Sequence, residues 1–149
     1  MTATIIAVIG TLLGSVTAYL LQQRAARTER AESRAAQRGR DQLGAITDLL
    51  AALADHRRAM WVREDLRLTG GAEQQYAAAR ADSHVSRSAI TGPLARVAIL
   101  APALTDVANA AAQAAYALRK APDCEALDAR RAAAIAAADR LLAAATALF

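Results

Sequence analysis

Apolar and polar residues are segregated along this chain. Residues 2–21 contain neither a charged residue nor a proline. Twenty residues in a helix span about 30 Å, which matches the hydrocarbon core of a bilayer. From residue 22 onward, apolar residues recur every three or four positions between charged ones, which is the pattern of amphipathic helices. The pattern predicts a transmembrane anchor over residues 1–21, a juxtamembrane helix over 22–40 and a helical bundle over 41–149.

Three clusters of turn-forming residues divide the bundle, at 69–71, 91–93 and 121–123. The predicted helices cover about 41–68, 72–90, 94–120 and 124–148. Pro102 should bend the third helix or mark its start near Ala103, whereas Gly39 and Gly44 leave open whether the first helix is continuous with the anchor. Because the loops are short, neighbouring helices should be antiparallel. The predicted fold is all-α, with a single N-terminal transmembrane helix running into a small antiparallel bundle of three to four helices.

The core of the bundle should be rich in Ala, because the chain is 55% hydrophobic but only 3% aromatic. The third helix has an Ala-dominated seam that permits close helix approach, and Ile135, Leu142 and Phe149 widen the apolar stripe of the last helix. Trp61 has two interpretations: a large core anchor in an Ala-rich bundle, or an exposed contact for a protein partner. The first helix should bury a heptad seam formed by Leu43, Ile46, Leu50, Leu53, Arg57 and Met60.

The predicted anchor has the features of a pairing surface. Gly10 and Gly14 form a GxxxG pattern that Ala18 extends at four-residue spacing. Such a stripe lets two helix backbones pack closely in lipid, so self-association is expected. Chance spacing of glycines, which are common in membrane helices, is the alternative. A cleaved signal peptide is a further alternative, since residues 16–18 fit a cleavage pattern, but no basic residue precedes the apolar stretch.

Positive charge is concentrated directly after the anchor. Residues 22–40 contain six Arg and two Glu, whereas residues 41–149 contain twelve basic and twelve acidic residues. The positive-inside rule keeps this flank in the cytoplasm, so the N-terminus should lie outside the plasma membrane and the C-terminus inside. The balanced charge of the bundle argues against nucleic-acid binding.

Most of these arginines share one face of the juxtamembrane helix, within about 120° of one another. Such a face could contact anionic lipid headgroups or an acidic protein partner, or serve only as the flank that stops translocation. The residues of this face are Arg24, Arg27, Arg30, Arg34 and Arg38.

The histidines and glycines form no recognisable site. His56 and His84 each lack a second metal ligand four positions away, so both are expected to be ordinary surface or boundary residues. Gly70-Gly71 lacks the Lys and the Ser or Thr of a phosphate-binding loop.

The acidic residues and the cysteine indicate no catalytic chemistry either. Glu64 and Asp65 are adjacent, so their side chains diverge on a helix, which does not suit paired-carboxylate catalysis. Cys124 is the only cysteine, and its acidic neighbours Asp123 and Glu125 disfavour a thiolate. We expect no enzyme activity, no cofactor, no metal and no small-molecule substrate.

The N-terminal part of the chain resembles a known family. The anchor contains Ile-Gly-Thr-Leu-Leu-Gly-Ser, and Gln22-Gln23-Arg24 opens a helix rich in Arg, Glu and Ala. A later helix bears His56-Arg57-Arg58-Ala59-Met60-Trp61. In these features the chain resembles small actinobacterial membrane proteins of the KilB-like type, which are associated with conjugative plasmids. The resemblance covers about residues 1–65 and implies a part in plasmid spread through the mycelium, without assigning functional residues.

Two functions fit these observations. In the first, the chain is a membrane-anchored interaction or scaffold protein whose bundle self-associates or binds an unidentified protein partner at the inner face of the plasma membrane. In the second, it is a membrane-perturbing lethal or lysis-type protein that acts through oligomers of its anchor. Truncation of the bundle separates the two, because the second function should survive the loss of residues 41–149.

Overall fold

The computed structural model describes the backbone of residues 2–149. It describes the side chains of residues 22–149 except those of residues 24–26, 28 and 31. The chain divides into two units, residues 1–40 and residues 41–149. The second unit contains the helical bundle. The fold is all-α, with four α-helices and no strand in the described part of the chain, as the sequence predicts.

The first helix, α1, covers Thr2–Thr69. It runs through Gly39 and Gly44 without a break, which answers the question that the sequence leaves open. Its end is a Schellman motif, because Gly70 has a φ of 75° and the N–H of Gly71 donates to the carbonyl of Leu66 at 2.9 Å. Among the described residues, no helix has a stretch long and apolar enough to cross a membrane. The predicted anchor at residues 2–21 lies outside the described side chains and stays a prediction.

The second helix, α2, covers Glu73–Leu100 and contains Pro93. The predicted break at 91–93 is therefore wrong. Proline removes one helical hydrogen bond, but Ile90 and Val97, which are seven positions apart, are both fully buried on the same side of α2. Burial before and after Pro93 keeps the helix continuous, and the carbonyl that loses its donor belongs to the exposed Ala89.

The predicted third helix is shorter than expected. Ala101 leaves the helical conformation, Pro102–Leu104 form one turn of 3-10 helix, and α3 covers only Thr105–Tyr116. The predicted effect of Pro102 is thus confirmed, with the new helix starting just beyond Ala103. The last helix, α4, covers Cys124–Thr146 and begins at Asp123, whose carboxylate accepts a hydrogen bond from the N–H of Ala126 at 2.7 Å.

Helices α1 and α2 are antiparallel, because residues that approach each other have rising numbers on one helix and falling numbers on the other. Gln42 donates to the carbonyl of Leu100 at 2.6 Å and so satisfies an acceptor at the end of α2. Further along, Asp48 pairs with Arg96 at 2.6 Å, and His56 lies 3.0 Å from Ser86. The connections are short, as expected for antiparallel neighbours.

Most of the buried side chains of α3 and α4 are Ala, as the sequence predicts. Ile135, Leu142 and Phe149 do not widen the buried stripe of α4, because all three are exposed. The buried face of α1 is rotated slightly from the predicted seam. Leu43 is exposed, and Arg57 is only partly buried. Ile46, Leu53 and Met60 of the predicted seam are buried. The other side chains that α1 buries are Ala45, Leu49, His56, Arg63 and Glu64.

Candidate functional site

A cluster of buried polar side chains lies between α1, α2 and the end of α3. His56 is 1% exposed, Glu64 is 1% exposed and Ser83 is 2% exposed, while Arg63 is also buried. The expectation that His56 is a surface or boundary residue is therefore wrong. The physical reason is spacing: His56 follows Leu49 by seven positions and precedes Arg63 by seven, so all three lie on the face of α1 that turns inward. His84, by contrast, is exposed.

His56 is held by groups from two other helices. Its Nδ1 lies 3.0 Å from the Oγ of Ser86 on α2, and its ring meets that of Tyr116 edge to face, with centroids 5.5 Å apart. The guanidinium of Arg87 lies 4.0 Å over the Tyr116 ring. Burial and, secondly, the positive charge of Arg87 lower the pKa of His56 from 6.5 to about 4. The imidazole is therefore neutral at pH 7.

Arg63 is oriented by α2. Its Nη1 donates to the Oγ of Ser83 at 3.2 Å, and that hydroxyl donates in turn to the carbonyl of Arg80 at 2.7 Å. Ser83 therefore uses both its donor and one acceptor position, which fixes the guanidinium against α2.

Glu64 joins α1 to the turn that follows α3. Its Oε2 accepts from the Nε of Arg67 at 2.7 Å and from the backbone N–H of Lys120 at 3.1 Å. Arg67 also donates to the carbonyl of Ala121. Hydrogen bonds of this kind between charged partners are the strong ones, so the buried carboxylate is well compensated.

Beside this cluster lies a partly open cavity of about 230 Å³. Three helices and the turn after α3 contribute to its wall. The lining residues are His56, Met60, Arg63, Ser83, His84, Arg87, Tyr116 and Arg119. Sequence reasoning missed this site because its members come from four separate segments. The detectable signs were the seven-residue spacing of His56 and Arg63, and the Ser83-x-x-Ser86-Arg87 pattern on one face of α2.

Trp61, on α1, packs against α4 at the edge of the bundle. Its Nε1 donates to Asp128 at 3.2 Å, and the guanidinium of Arg131 lies 5.1 Å from its ring centroid. The indole borders a second small apolar cluster that includes Met60, Leu118 and Leu127. The side chain is neither fully buried nor fully exposed, so these contacts give it a structural role, and its role as a partner contact stays a prediction.

The remaining predicted site residues lie in the first unit. Gly10, Gly14 and Ala18, the predicted helix-pairing residues, and the side chain of Arg24 lie outside the described residues. The other members of the arginine face, Arg27, Arg30, Arg34 and Arg38, are all exposed. An exposed cationic face is available to a lipid surface or an acidic partner, and nothing further tests that prediction.

Three further observations concern residues that could carry chemistry. Cys124 is a free, exposed thiol at the start of α4. Among the residues that the structure describes, no group of three or more His, Cys, Asp or Glu side chains is placed to hold a metal ion. Glu64 and Asp65 diverge as expected, since Glu64 is buried and Asp65 is partly exposed.

Comparison with known proteins identifies relatives. The sequence model of the KilB plasmid transfer protein family matches residues 43–149. The chain is 59% identical over 150 residues to protein KilB of Streptomyces lividans, with 100% of this chain and 99% of the relative covered. No solved structure matches. The resemblance seen in the N-terminal part is thus confirmed, and it extends well beyond residue 65.

Proposed function

Because the chain belongs to the KilB plasmid transfer protein family, we propose that it acts in plasmid transfer as a helical interaction protein held at the plasma membrane. The observation that carries this proposal is the family match across almost the whole helical bundle. The bundle is then the part of the chain that binds other proteins, and residues 2–21 are its anchor.

The anchor proposal is supported by sequence. Residues 2–21 are uncharged and six arginines follow within 22–40, which favours an N-terminus outside and a C-terminus inside the cell. The only cysteine, Cys124, is exposed and so reports on topology. A membrane-impermeant thiol reagent should label it only after permeabilisation. A Cys124→Ser chain with Thr2→Cys is the matched control, which should be labelled in intact cells; labelling of Cys124 itself in intact cells would overturn the orientation.

Self-association is supported by two surfaces. In the anchor, Gly10 and Gly14 would permit close helix pairing. In the bundle, Ile135 and Leu142 of α4 are seven residues apart and are 40% and 49% exposed, and Phe149, just beyond the end of α4, is 67% exposed. Apolar side chains that repeat at this spacing are typical of a seam that pairs with a second helix.

Single substitutions separate the two surfaces. Gly14→Leu should reduce pairing of the anchor in a transmembrane-association reporter. Leu142→Glu should reduce crosslinking between bundles in membranes, whereas Ala143→Glu, at an exposed neighbouring position, should not. Full crosslinking in both the Gly14→Leu and the Leu142→Glu chains would show that self-association does not use these surfaces.

The transfer role is tested by mating. A plasmid whose copy of this chain lacks residues 2–21, or lacks residues 41–149, should lose transfer or spread, because the anchor and the bundle are both needed. The competing lethal or lysis function predicts a different result. In that case residues 1–40 expressed alone should arrest growth and depolarise the membrane, and deletion of residues 41–149 should leave this toxicity intact.

A further inference from the structure

The cavity beside His56 has a surplus of positive charge. Three arginines line it, namely Arg63, Arg87 and Arg119, and no carboxylate does. The nearest described carboxylate, Glu64, already accepts hydrogen bonds from Arg67 and from the Lys120 backbone. Its other oxygen is 3.9 Å from the Nε of Arg63, which is too long for a hydrogen bond. The charge of the lining is therefore only partly compensated.

Two buried polar atoms of the lining have no hydrogen-bond partner. They are the Nε2 of His56 and the Nε of Arg63. Unpartnered buried polar groups are uncommon in folded proteins because they lower stability, so each one needs an explanation. Both belong to side chains that line the same cavity.

Two of the cationic side chains that line the cavity are held in place by neighbouring groups, which favours the binding of a ligand. Arg63 is held by Ser83, and Arg87 is stacked on Tyr116 at 4.0 Å. A preorganised cation loses little freedom when it binds an anion. The cavity volume of about 230 Å³ lies below the range of about 300–1,000 Å³ that is usual for drug-sized ligands, so it fits a small group.

We propose that this cavity binds a phosphate group, as free phosphate or as the phosphate ester of a small molecule. Arginine suits phosphate because its planar fork donates two hydrogen bonds to one anion. Three guanidinium groups offer more donors than the two oxygens of a carboxylate can accept. A metal ion is disfavoured because the same arginines repel it. The inference does not depend on the role in plasmid transfer.

His56 supplies a direct readout. A phosphate in the cavity would stabilise the charged imidazole and offset the effect of burial and of Arg87. The imidazole contacts Ser86 and Tyr116 and feels the charge of Arg87. The other titratable or charged groups that line the same cavity are Arg63 from α1, His84 from α2 and Arg119 from the turn after α3. The pKa of His56, about 4 in the free chain, should therefore rise when phosphate binds. Nuclear magnetic resonance of the His56 ring, recorded between pH 4 and 7, measures this.

The experiment uses the full chain in a neutral detergent, with phosphate, glycerol 3-phosphate and acetate as probes. Calorimetric titration should show saturable binding of phosphate, at least about tenfold tighter than acetate, since more charged hydrogen bonds form. Binding of glycerol 3-phosphate as tightly as free phosphate would support an ester as the natural ligand, and tighter binding of the free ion would support phosphate itself. Equal binding of acetate and phosphate would overturn the proposal.

Substitutions then locate the site. Arg87→Gln and Arg119→Gln should each weaken phosphate binding about tenfold or more. Arg131→Gln is the matched control, because Arg131 also lies over an aromatic ring, that of Trp61, but does not line this cavity. Unchanged binding in the Arg87→Gln/Arg119→Gln chain would overturn the site. If that chain fails to fold, the test rests on the parent chain. The proposal is then refuted if phosphate leaves the pKa of His56 unchanged.

Discussion

The carboxylate of Glu64 accepts a hydrogen bond at 3.1 Å from the backbone N–H of Lys120, 56 positions further along the chain. Lys120 has a φ of 58°, in the left-handed region that L-residues seldom adopt. The contact therefore holds a strained turn between α3 and α4. Glu64 is 1% exposed and also binds Arg67, which donates to the carbonyl of Ala121. The two side chains therefore tie α1 to the turn between α3 and α4.

Removal of this carboxylate should destabilise the bundle. Glu64→Ala should lower the free energy of unfolding by about 2–3 kcal/mol, because Arg67 and the Lys120 N–H both lose a hydrogen-bond partner. This loss is smaller than for a fully buried ion pair, because Arg67 is partly solvated. Glu64→Gln should cost less, as an amide oxygen can still accept from Lys120. Denaturant unfolding followed by the fluorescence of Trp61 measures both. Asp65→Ala should change stability by less than about 0.5 kcal/mol, and an equal loss in the two alanine variants would contradict the assignment.

The stability of the bundle should depend on pH through His56. The folded chain holds this imidazole with a pKa of about 4, against 6.5 ordinarily, so the unfolded chain binds the proton more readily between these values. The contribution of His56 to the free energy of unfolding should be constant above pH 6.5. It should decrease by up to about 3 kcal/mol as the pH falls towards 4.

Variant chains isolate this contribution from that of the carboxylates. Unfolding is measured in phosphate-free buffers from pH 4 to 8. His56→Gln should flatten the decline of stability between pH 6.5 and 4, and the exposed His84→Gln should leave it as in the parent. Identical pH profiles for the parent and His56→Gln would show that His56 is not held neutral by the fold.

Much of the fold follows from local patterns, whereas the buried polar site does not. Ala and Leu periodicity and Gly70-Gly71 predict the helices and the end of α1. Pro93 shows the limit of such reasoning, because its effect depended on whether Ile90 and Val97 were buried together. The site beside His56 could not be predicted, because this requires knowing, to within one residue, which face of α1 is buried. His56 and Arg57 are adjacent, and only the rotation of α1 decides which of them points into the bundle.

Trp61 and Asp128 should be energetically coupled. The indole donates to Asp128 at 3.2 Å across α1 and α4, so Trp61→Phe should cost about 1–2 kcal/mol through a lost hydrogen bond and lost volume. The double variant with Asp128→Ala should lose less than the two single losses together, by about 0.5–1 kcal/mol. Circular dichroism is the probe, because Trp61 is the only Trp. The same cycle with the exposed Asp139→Ala should be additive, and additivity for Asp128 would rule out the contact.

The close packing of α3 on α4 depends on the small size of Ala. Ala111 is 1% exposed and faces a core that contains Ala137 and Leu141 of α4. Ala111→Leu adds volume where the helices leave no room, so it should lower the free energy of unfolding by about 1–3 kcal/mol.

The neighbouring Ala110 is exposed and supplies the control for that substitution. Ala110→Leu changes helix propensity and hydrophobicity in the same way but meets solvent, so its effect should stay within about 0.5 kcal/mol. Thermal unfolding of both chains measures the difference. If Ala111→Leu were as stable as Ala110→Leu, α3 and α4 would have room for a larger side chain, and the Ala seam would not set the distance between these helices.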